Sequence, residues 1–288
     1  MDISQLVAKY EMVIRLGCFL GIFGLMAIWE WVAPKRQLSV SKAIRWANNL
    51  GIVFLNSFIV RLVFPAAGVG MVVFAEAGRW GLFHHYEVPF WASVVVSVVL
   101  LDFVIYVQHV MVHAIPVLWR LHQVHHADLD FDVTTGARFH PLEIVLSMFI
   151  KFVVIVLLGP PVLAVVIFEV LLNATSMFNH ANVVLPKGLD RVLRWFVVTP
   201  DMHRVHHSVE DDETNSNFGF NLPWWDRMFG TYRDQPRAGH EFMTIGIRSD
   251  REQKWCSWLP GMLVMPFRGR VGDYAINRRK WESTDGLR

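Results

Sequence analysis

Residues 109–126 read HVMVHAIPVLWRLHQVHH, and the rest of the chain is arranged around the histidines of this stretch. They form an HxxxH pair followed by an HxxHH cluster: His109, His113, His122, His125 and His126. On a helix, residues three and four apart share one face, so each set can direct its imidazoles at one point. Neutral imidazole is the commonest protein ligand for transition metals, so this pattern indicates a metal site.

A second HxxHH cluster follows about eighty residues later in TPDMHRVHHS, where it comprises His203, His206 and His207. A single HxxxH pair would be weak evidence, because a helix face often carries two unrelated polar residues. Two HxxHH clusters and an HxxxH pair in one chain are a much more specific signal. Together they predict that the protein binds metal, with two ions.

The composition is that of an integral membrane protein. Hydrophobic residues make up 53% of the 288 residues and charged residues 18%, against about 45–50% and about 25% in typical soluble proteins. The net charge of +2, without a basic tract, gives no support for a nucleic-acid partner. Cys18 and Cys256 are too few and too far apart for a disulfide framework or a thiolate metal site, which leaves histidine as the ligand.

Five apolar runs come close to the roughly 20 residues that a helix needs to cross a bilayer. They cover residues 13–32, 50–73, 88–106, 141–158 and 160–178. Gly-Pro-Pro at residues 159–161 suits a hairpin turn between the last two runs. We therefore expect an all-α fold of four to five membrane spans or hairpins, with a cytoplasmic helical cap that holds a histidine-rich dimetal site.

Arg61 lies inside the second run, where a charge is costly unless it faces protein or water. Either this arginine is paired or it marks a shallow, broken segment. The alternative is that its stem follows apolar surface while its head reaches water.

The loop charges predict which side of the membrane holds the histidines. The loop after the first run carries Lys35, Arg36, Lys42 and Arg45, whereas the loop after the second run has Arg79 as its firm cation. The positive-inside rule therefore places the first loop in the cytoplasm, and the later crossings return both histidine clusters to that side. The lack of a C-terminal dilysine or KDEL-type signal favours a bacterial inner membrane.

Two further histidines lie at the predicted membrane boundary. His180, in FNHANV at the exit of the fifth run, is interpreted as a ligand. His140, in RFHPLE at the entry of the fourth run, is either a ligand or a hydrogen-bond partner of a carboxylate such as Glu143.

Ligating histidines usually donate their second N–H to a carboxylate or carbonyl. Asp102 precedes His109 by seven residues and so lies on the same helical face, which makes it the first candidate for a supporting carboxylate. A carboxylate within an apolar run also needs a reason to be there. The other candidates are Asp128, Asp132, Glu143, Asp201 and Asp226.

Histidines without cysteine select a first-row metal such as iron, copper, manganese or zinc, and disfavour calcium and magnesium. A structural zinc site uses four ligands, usually with cysteine, so the clusters provide too many histidines for one such site. A two-metal site beside lipid suits either hydrolysis or oxygen chemistry. The alternatives are a dinuclear zinc hydrolase, although no HExxH-type carboxylate is present, and a non-catalytic haem- or metal-binding membrane protein.

Several motifs in the order DFVIYVQHVMVH, LHQVHH, RFHPLE, NHANV, TPDMHRVHHS and NFGFNLPWWDRMFGTY resemble the fatty acid hydroxylase/sterol desaturase superfamily of membrane oxygenases. The resemblance implies a non-haem di-iron centre (Fe2+/Fe3+) that uses O2 and external electrons to hydroxylate or desaturate a lipid C–H bond. The iron ligands that it implies are His109, His113, His122, His125, His126, His203, His206 and His207, completed by His180 and His140.

The same resemblance implies a domain organisation and partners. Residues 1–100 would form an N-terminal transmembrane region, residues 101–235 the catalytic region with its membrane hairpin, and residues 236–288 a cytoplasmic extension. The substrate would be a lipid that enters from the bilayer. Without a haem- or flavin-binding signature, the electrons would come from a separate donor, which could be a cytochrome b5-like protein, a ferredoxin or a reductase. Some members carry another histidine four residues before the position of His180, where this chain has Ser176.

Overall fold

A computed structural model describes residues 3–269, and within this range the chain is helical, without a β-strand. The first eight helices are α1 (Ile3–Val32), α2 (Lys42–Val63), α3 (Ala67–Ala77), α4 (Leu82–His85), α5 (Phe90–Ala114), α6 (Pro116–His126), α7 (Pro141–Leu158) and α8 (Val162–Asn179). Seven shorter helices follow: α9 (Lys187–Leu193), α10 (Pro200–His206), α11 (Asp211–Thr214), α12 (Trp224–Met228), α13 (Gly239–Phe242), α14 (Gln253–Cys256) and α15 (Leu259–Val264). The all-α prediction is confirmed. The predicted C-terminal extension is described as far as residue 269, and its remainder lies outside the described residues.

Five segments are long and apolar enough to cross a membrane: Ile3–Val32, Lys42–His85, Phe90–Ala114, Pro141–Leu158 and Val162–Asn179. Each coincides with one of the apolar runs, and the protein is therefore an integral membrane protein. The third segment continues beyond the predicted end at Tyr106, so that α5 itself carries His109 and His113. This third crossing helix therefore leads directly into the histidine site.

The second span is broken, which is one of the alternatives that Arg61 left open. α2 ends at Val63, and Pro65 then interrupts the helical path before α3 begins at Ala67. Proline has no N–H to donate and disfavours a helical conformation in the residue before it. Arg61 lies exposed in the last turn of α2, where a cation also compensates the negative end of the helix dipole.

α8 lies at the centre of the bundle and packs against α1, α3 and α5. In α8, 56% of the most apolar stretch is buried inside the protein, compared with 6% in α1. α8 is therefore enclosed by other helices, while α1 lies at the outside of the bundle. α8 is joined to α7 by a tight turn, in which Gly159 adopts the left-handed conformation (φ 63°) that favours glycine. This turn makes α7 and α8 a hairpin whose two ends return to the same side as α6.

Three charged side chains connect α1, α7 and α8 within the bundle. Lys151 Nζ lies 2.5 Å from Glu169 Oε1, and Arg15 Nη1 lies 3.2 Å from Glu169 Oε2. The Glu169 side chain is almost completely buried. A buried carboxylate is tolerated only when cations or hydrogen-bond donors compensate its lost hydration. This ion cluster therefore holds the three helices in register.

We predict that Lys151→Met destabilises the protein by about 3 kcal/mol, because it removes the closest cation from the buried Glu169 carboxylate. The double variant Lys151→Met/Glu169→Gln removes both charges, and we expect it to recover most of that loss. Denaturant unfolding in detergent micelles measures both free energies of unfolding. Equal losses in the single and double variants would show that helix packing, and not the unpaired charge, causes the effect.

Candidate metal centre

Nine buried histidines form two groups whose potential ligand atoms lie within 4.8 Å of one another in each group. The five-histidine group consists of His109, His113, His122, His126 and His206. The four-histidine group consists of His125, His180, His203 and His207. The two HxxHH clusters and the HxxxH pair thus come together in space.

Each HxxHH cluster serves both groups, which differs from the expectation that each cluster points to one site. On α6, His122 and His126 share a face and enter the five-histidine group, whereas His125 points to the other group. At α10, His206 enters the five-histidine group and His203 and His207 enter the four-histidine group. Residues that are one position apart on a helix diverge by about 100°, so adjacent histidines cannot serve the same point.

The two groups are in direct contact. The rings of His126 and His207, one from each group, stack with their centroids 4.5 Å apart. The rings of His109 and His203 also approach across the boundary, with centroids 6.2 Å apart. The two histidine groups therefore form one continuous cluster and not two separate sites.

Backbone carbonyls orient many of the rings through Nδ1. The contacts are His109 to the Phe218 oxygen at 2.8 Å, His206 to the Ser216 oxygen at 2.7 Å, His180 to the Ser176 oxygen at 2.8 Å and His125 to the Arg138 oxygen at 3.2 Å. A carbonyl oxygen only accepts, so Nδ1 carries the hydrogen in each of these rings and Nε2 keeps its lone pair. This is the tautomer that a metal ligand with a hydrogen-bonded outer nitrogen adopts.

The contacts at Nδ1 leave the Nε2 atoms free, and these atoms point toward one another. Those of His109, His122 and His206 are buried and have no hydrogen-bond partner within the described chain. His180 Nε2 lies 3.2 Å from His125 Nε2 and 3.1 Å from His203 Nε2. Nitrogen lone pairs so close to one another repel unless a cation lies among them. The residues present therefore fit bound metal ions.

The electrostatic environment keeps these imidazoles neutral. Burial and then neighbouring imidazoles lower the pKa values of His125, His126, His203 and His207 well below the ordinary histidine value. Burial lowers the pKa of His180 to about 3. Only the neutral ring offers a lone pair to a metal, so the environment favours the ligating form.

Glu143 is the carboxylate that the structure places against a histidine of the centre. Its Oε1 lies 2.6 Å from His122 Nδ1, so it accepts the outer hydrogen of that ring. Glu143 lies in the first turn of α7, the next long helix after α6. It therefore occupies the supporting position for which the sequence nominated it.

Asp102 contacts no histidine, although it shares a helical face with His109. It accepts hydrogen bonds from Trp225 Nε1 at 2.8 Å and from the backbone N–H of Leu222 at 3.3 Å. Seven residues correspond to about 10 Å along a helix, which is beyond the reach of an aspartate side chain. Asp102 instead holds the loop that carries Phe218, whose carbonyl orients His109.

Asp128 and Asp201 pair with arginine and lysine side chains, and the histidine beside Asp201 is His240, outside both groups, whose Nε2 lies 3.8 Å from Asp201 Oδ2. Arg45 donates to both carboxylate oxygens of Asp128, at 2.7 and 2.8 Å. Burial alone would raise the pKa of Asp128, but the Arg45 guanidinium outweighs it and holds that pKa below its usual range. Asp201 accepts from Arg204 and from Lys35 Nζ, the latter at 3.3 Å. These ion pairs connect the loops around the centre.

The remaining two carboxylates have similar structural roles. Asp132 accepts from Arg45 Nη1 at 2.5 Å. Asp226 accepts from the backbone N–H groups of Phe218 and Gly219, both at 2.8 Å, and burial raises the pKa of Asp226 to about 6. Asp226 thus fixes the same loop that Asp102 holds from the membrane side.

The structure places His140 outside both histidine groups. Its Nδ1 accepts from the backbone N–H of Leu142 at 3.2 Å, so that the ring caps the N-terminus of α7. Its Nε2 lies 3.3 Å from the Leu263 carbonyl oxygen and donates to it. Both ring nitrogens are therefore engaged, and Glu143, the partner considered for this ring, contacts His122 instead.

The residues that contact the Nδ1 atoms of His113 and His126 were not predicted from the sequence. His113 Nδ1 lies 3.3 Å from Asn215 Oδ1, and His126 Nδ1 lies 3.5 Å from Thr214 Oγ1. Thr214 is the last residue of the short acidic helix α11 and Asn215 follows it, in a segment whose sequence is typical of a solvated turn. The signal that could have found them is their position soon after the second HxxHH cluster.

A cavity of about 330 Å³ extends from the centre into the membrane-crossing bundle. His109 and His122 line it at the metal end, and the Lys151–Glu169 pair lines it deeper in the bundle. Apolar side chains such as Ile144, Met148 and Leu172 form the walls between. A lipid chain could therefore reach the centre from within the bundle.

Comparison with known proteins gives a consistent result. The fatty acid hydroxylase family model matches residues 94–231. The ornithine lipid hydroxylase OlsE of Rhizobium tropici is 26% identical over 230 residues, which cover 76% of this chain and 67% of that protein. The alkylglycerol monooxygenase of Xenopus tropicalis is 29% identical over 216 residues, 73% of this chain and 44% of that protein. No solved structure shows significant similarity.

A more distant similarity covers the cholesterol 25-hydroxylase of Rattus norvegicus, 24% identical over 150 residues, 51% of this chain and 49% of that protein. The chain thus spans two thirds of the rhizobial protein but less than half of the alkylglycerol monooxygenase from Xenopus. The resemblance that the histidine motifs indicated is confirmed.

We predict that His125→Ala or His206→Ala lowers the metal content of the purified protein by at least one ion per chain, because each removes a ligand from a different histidine group. His85→Ala, at an exposed position on α4, is the matched control and should retain the wild-type metal content. Elemental analysis of the three variants measures this. Full metal content in both ligand variants would contradict the assignment.

We also predict that Glu143→Gln weakens metal binding about 10- to 100-fold, as the loss of a partner of a ligating histidine typically does. The glutamine has nearly the same shape but lacks the carboxylate charge that supports His122. A chelator competition titration measures the change, with Glu241→Gln at an exposed position as the control. An unchanged affinity would leave Glu143 with a purely structural role.

Proposed function

Because the fatty acid hydroxylase family model matches residues 94–231, we propose that the protein is a membrane-bound non-haem di-iron oxygenase of that family. It would use O2 and external electrons to hydroxylate a lipid C–H bond, with desaturation as the related outcome. The proposal depends chiefly on one observation: nine buried, converging imidazoles border a cavity with apolar walls inside a membrane bundle.

The ligand set supports a first-row transition metal, and the family resemblance makes iron the proposed one. All nine side chains are imidazoles, which suit first-row transition metals, and a redox-active pair of irons supplies O2 activation when bound. The nine histidines of the two groups would hold it, with the carbonyls of Phe218 and Ser216 and the Glu143 carboxylate orienting three of their rings. The competing haem site is disfavoured, because histidine ligand atoms within 4.8 Å of one another leave no room for a porphyrin.

The surrounding aromatic side chains exclude water from the centre. The ring of Phe139 stacks on His125 with centroids 4.4 Å apart, and Phe218 lies against His113 at 5.1 Å. Phe220 approaches His109 at 6.3 Å. A dry site protects a reactive oxidant from quenching by water and reserves it for the lipid.

We further propose that the centre lies at the cytoplasmic face of a bacterial inner membrane. The cationic loop after α1 supports this, because it contacts the segment that follows α8. Arg36 N–H donates to Asn182 Oδ1 at 3.0 Å, and Pro34 bridges to Val183. The loop that the positive-inside rule assigns to the cytoplasm is therefore next to the histidines. A separate electron donor, a cytochrome b5-like protein, a ferredoxin or a reductase, would bind from that side.

The remaining parts of the proposal concern organisation and substrate. Residues 101–235 would form the catalytic region, with residues 1–100 as the transmembrane region beside it and residues 236–288 as an extension. The similar proteins are named for ornithine lipid, alkylglycerol and cholesterol, so the substrate is proposed to be a lipid taken from the bilayer.

The proposal predicts about two irons per chain and lipid-dependent O2 consumption in the reduced, reconstituted protein. The zinc-loaded protein serves as the control, because zinc has no redox chemistry and should consume no O2. Elemental analysis and an oxygen electrode measure the two quantities. Esterase or phosphatase activity restored by zinc alone, without O2 uptake by the iron form, would favour a zinc hydrolase.

A further inference from the structure

Three hydrogen-bond acceptors on the cavity wall lack partners. Asn56 Oδ1, Gln108 Oε1 and Glu143 Oε2 are buried and have no hydrogen-bond partner within the described residues. All three side chains line the cavity that leads to the centre. A buried acceptor without a donor costs free energy, so such groups usually accept a hydrogen bond from a bound ligand or from water.

The orientation of the Asn56 amide is fixed by its other end. Its Nδ2 donates to the Phe139 carbonyl oxygen at 2.9 Å, and a carbonyl can only accept. The amide oxygen must therefore face away from Phe139. Asn56 is only 7% exposed, so this oxygen has little access to bulk water.

Each of the three acceptors belongs to a side chain that neighbours a histidine ligand in the chain or in space. Gln108 immediately precedes His109 in α5, and the other carboxylate oxygen of Glu143, Oε1, lies 2.6 Å from His122 Nδ1. Asn56 is bonded to Phe139, whose ring stacks on His125. The three unpartnered acceptors thus belong to residues that neighbour the ligands.

The rest of the cavity has a different character. Its middle is apolar, and at the deeper end Lys151 is already paired with Glu169. A ligand that fits has a donor-bearing polar end at the centre and a hydrocarbon chain in the bundle. An anionic end is disfavoured, because Glu143 is itself a carboxylate and the two amide oxygens carry partial negative charge.

We propose that the cavity selects lipids whose polar end carries hydrogen-bond donors, either hydroxyls or an ammonium group, and binds that end at Asn56, Gln108 and Glu143. This preference specifies the substrate of the proposed oxygenase. Its consequence for which C–H bond reacts rests on that proposed function. The C–H bonds next to the polar end, and not those of the distal chain, lie against the centre. Asn56 and Gln108 are specificity-determining residues.

Lipid binding tests the inference without O2 or reductant. The metal-loaded protein in detergent is titrated with a hexadecyl glycerol ether with both hydroxyls free, with the same ether methylated on both hydroxyls, with hexadecylamine and with hexadecanoate. We expect the free ether or the amine to bind about tenfold or more tightly than the methylated ether, as the satisfaction of one or more buried acceptors implies. Hexadecanoate should bind more weakly than the better of the two donors.

Two variants assign the preference to the named residues. Asn56→Leu and Gln108→Met should each reduce the ratio of the two ether affinities by several-fold while keeping the wild-type metal content. Gln108→Met leaves the Asn56–Phe139 bond intact and so guards against a folding effect. Asn48→Leu is the matched control: this amide also lies on α2, but its oxygen already accepts from the Leu259 N–H at 2.9 Å, outside the cavity. It should keep the ratio.

Equal affinities for the free and methylated ethers, a preference for hexadecanoate, or an unchanged ratio in both cavity variants would overturn the inference. None of these results would bear on O2 consumption, so failure of the inference is distinguishable from failure of the proposed function. If the iron form turns over the bound probe, fragmentation by mass spectrometry should locate the new oxygen near its polar end. Oxygen on the distal chain would equally contradict the proposed orientation.

Discussion

The whole arrangement depends on how buried imidazoles are kept neutral and correctly oriented. A buried ring nitrogen needs a partner, and here Nδ1 of several rings meets a backbone carbonyl while Nε2 faces the other histidines. The carbonyls of Ser216 and Phe218 come from a loop with no helix of its own. That loop must be held by other means, so much of the polar structure around the centre serves to position it.

Two carboxylates hold this loop from opposite sides. Asp226 accepts from the N–H groups of Phe218 and Gly219, and Asp102 accepts from Trp225 and Leu222. Asp102 lies in a crossing helix, so the loop is tied directly to the membrane bundle. The Arg45–Asp128 pair does the same for the segment after α6. The cap is therefore anchored to the bundle by buried charges. These contacts fix the histidines of the cap relative to those of the bundle.

The membrane bundle determines which molecules reach the histidine centre. α8 occupies its centre, and the Arg15–Glu169–Lys151 cluster joins it to α1 and α7. The cavity enclosed among these helices has apolar walls between the histidines at one end and the Arg15–Glu169–Lys151 cluster at the other, and unpartnered acceptors neighbour the histidines. An amphiphile would have only one favourable orientation in such a cavity. Selectivity then follows from the pairing of a few acceptors, a property that distinguishes lipids by their polar ends more strongly than by chain length.

The sequence by itself determined the five apolar segments, the all-α class and all nine histidines that meet, because helix periodicity and the cost of charge in a membrane are local properties. It could also nominate Glu143. Only the tertiary structure decided that each HxxHH cluster divides between two groups, that His140 caps α7, and that Asp102 supports a loop. Those outcomes depend on distances between segments remote in the chain, which packing sets and residue spacing does not encode.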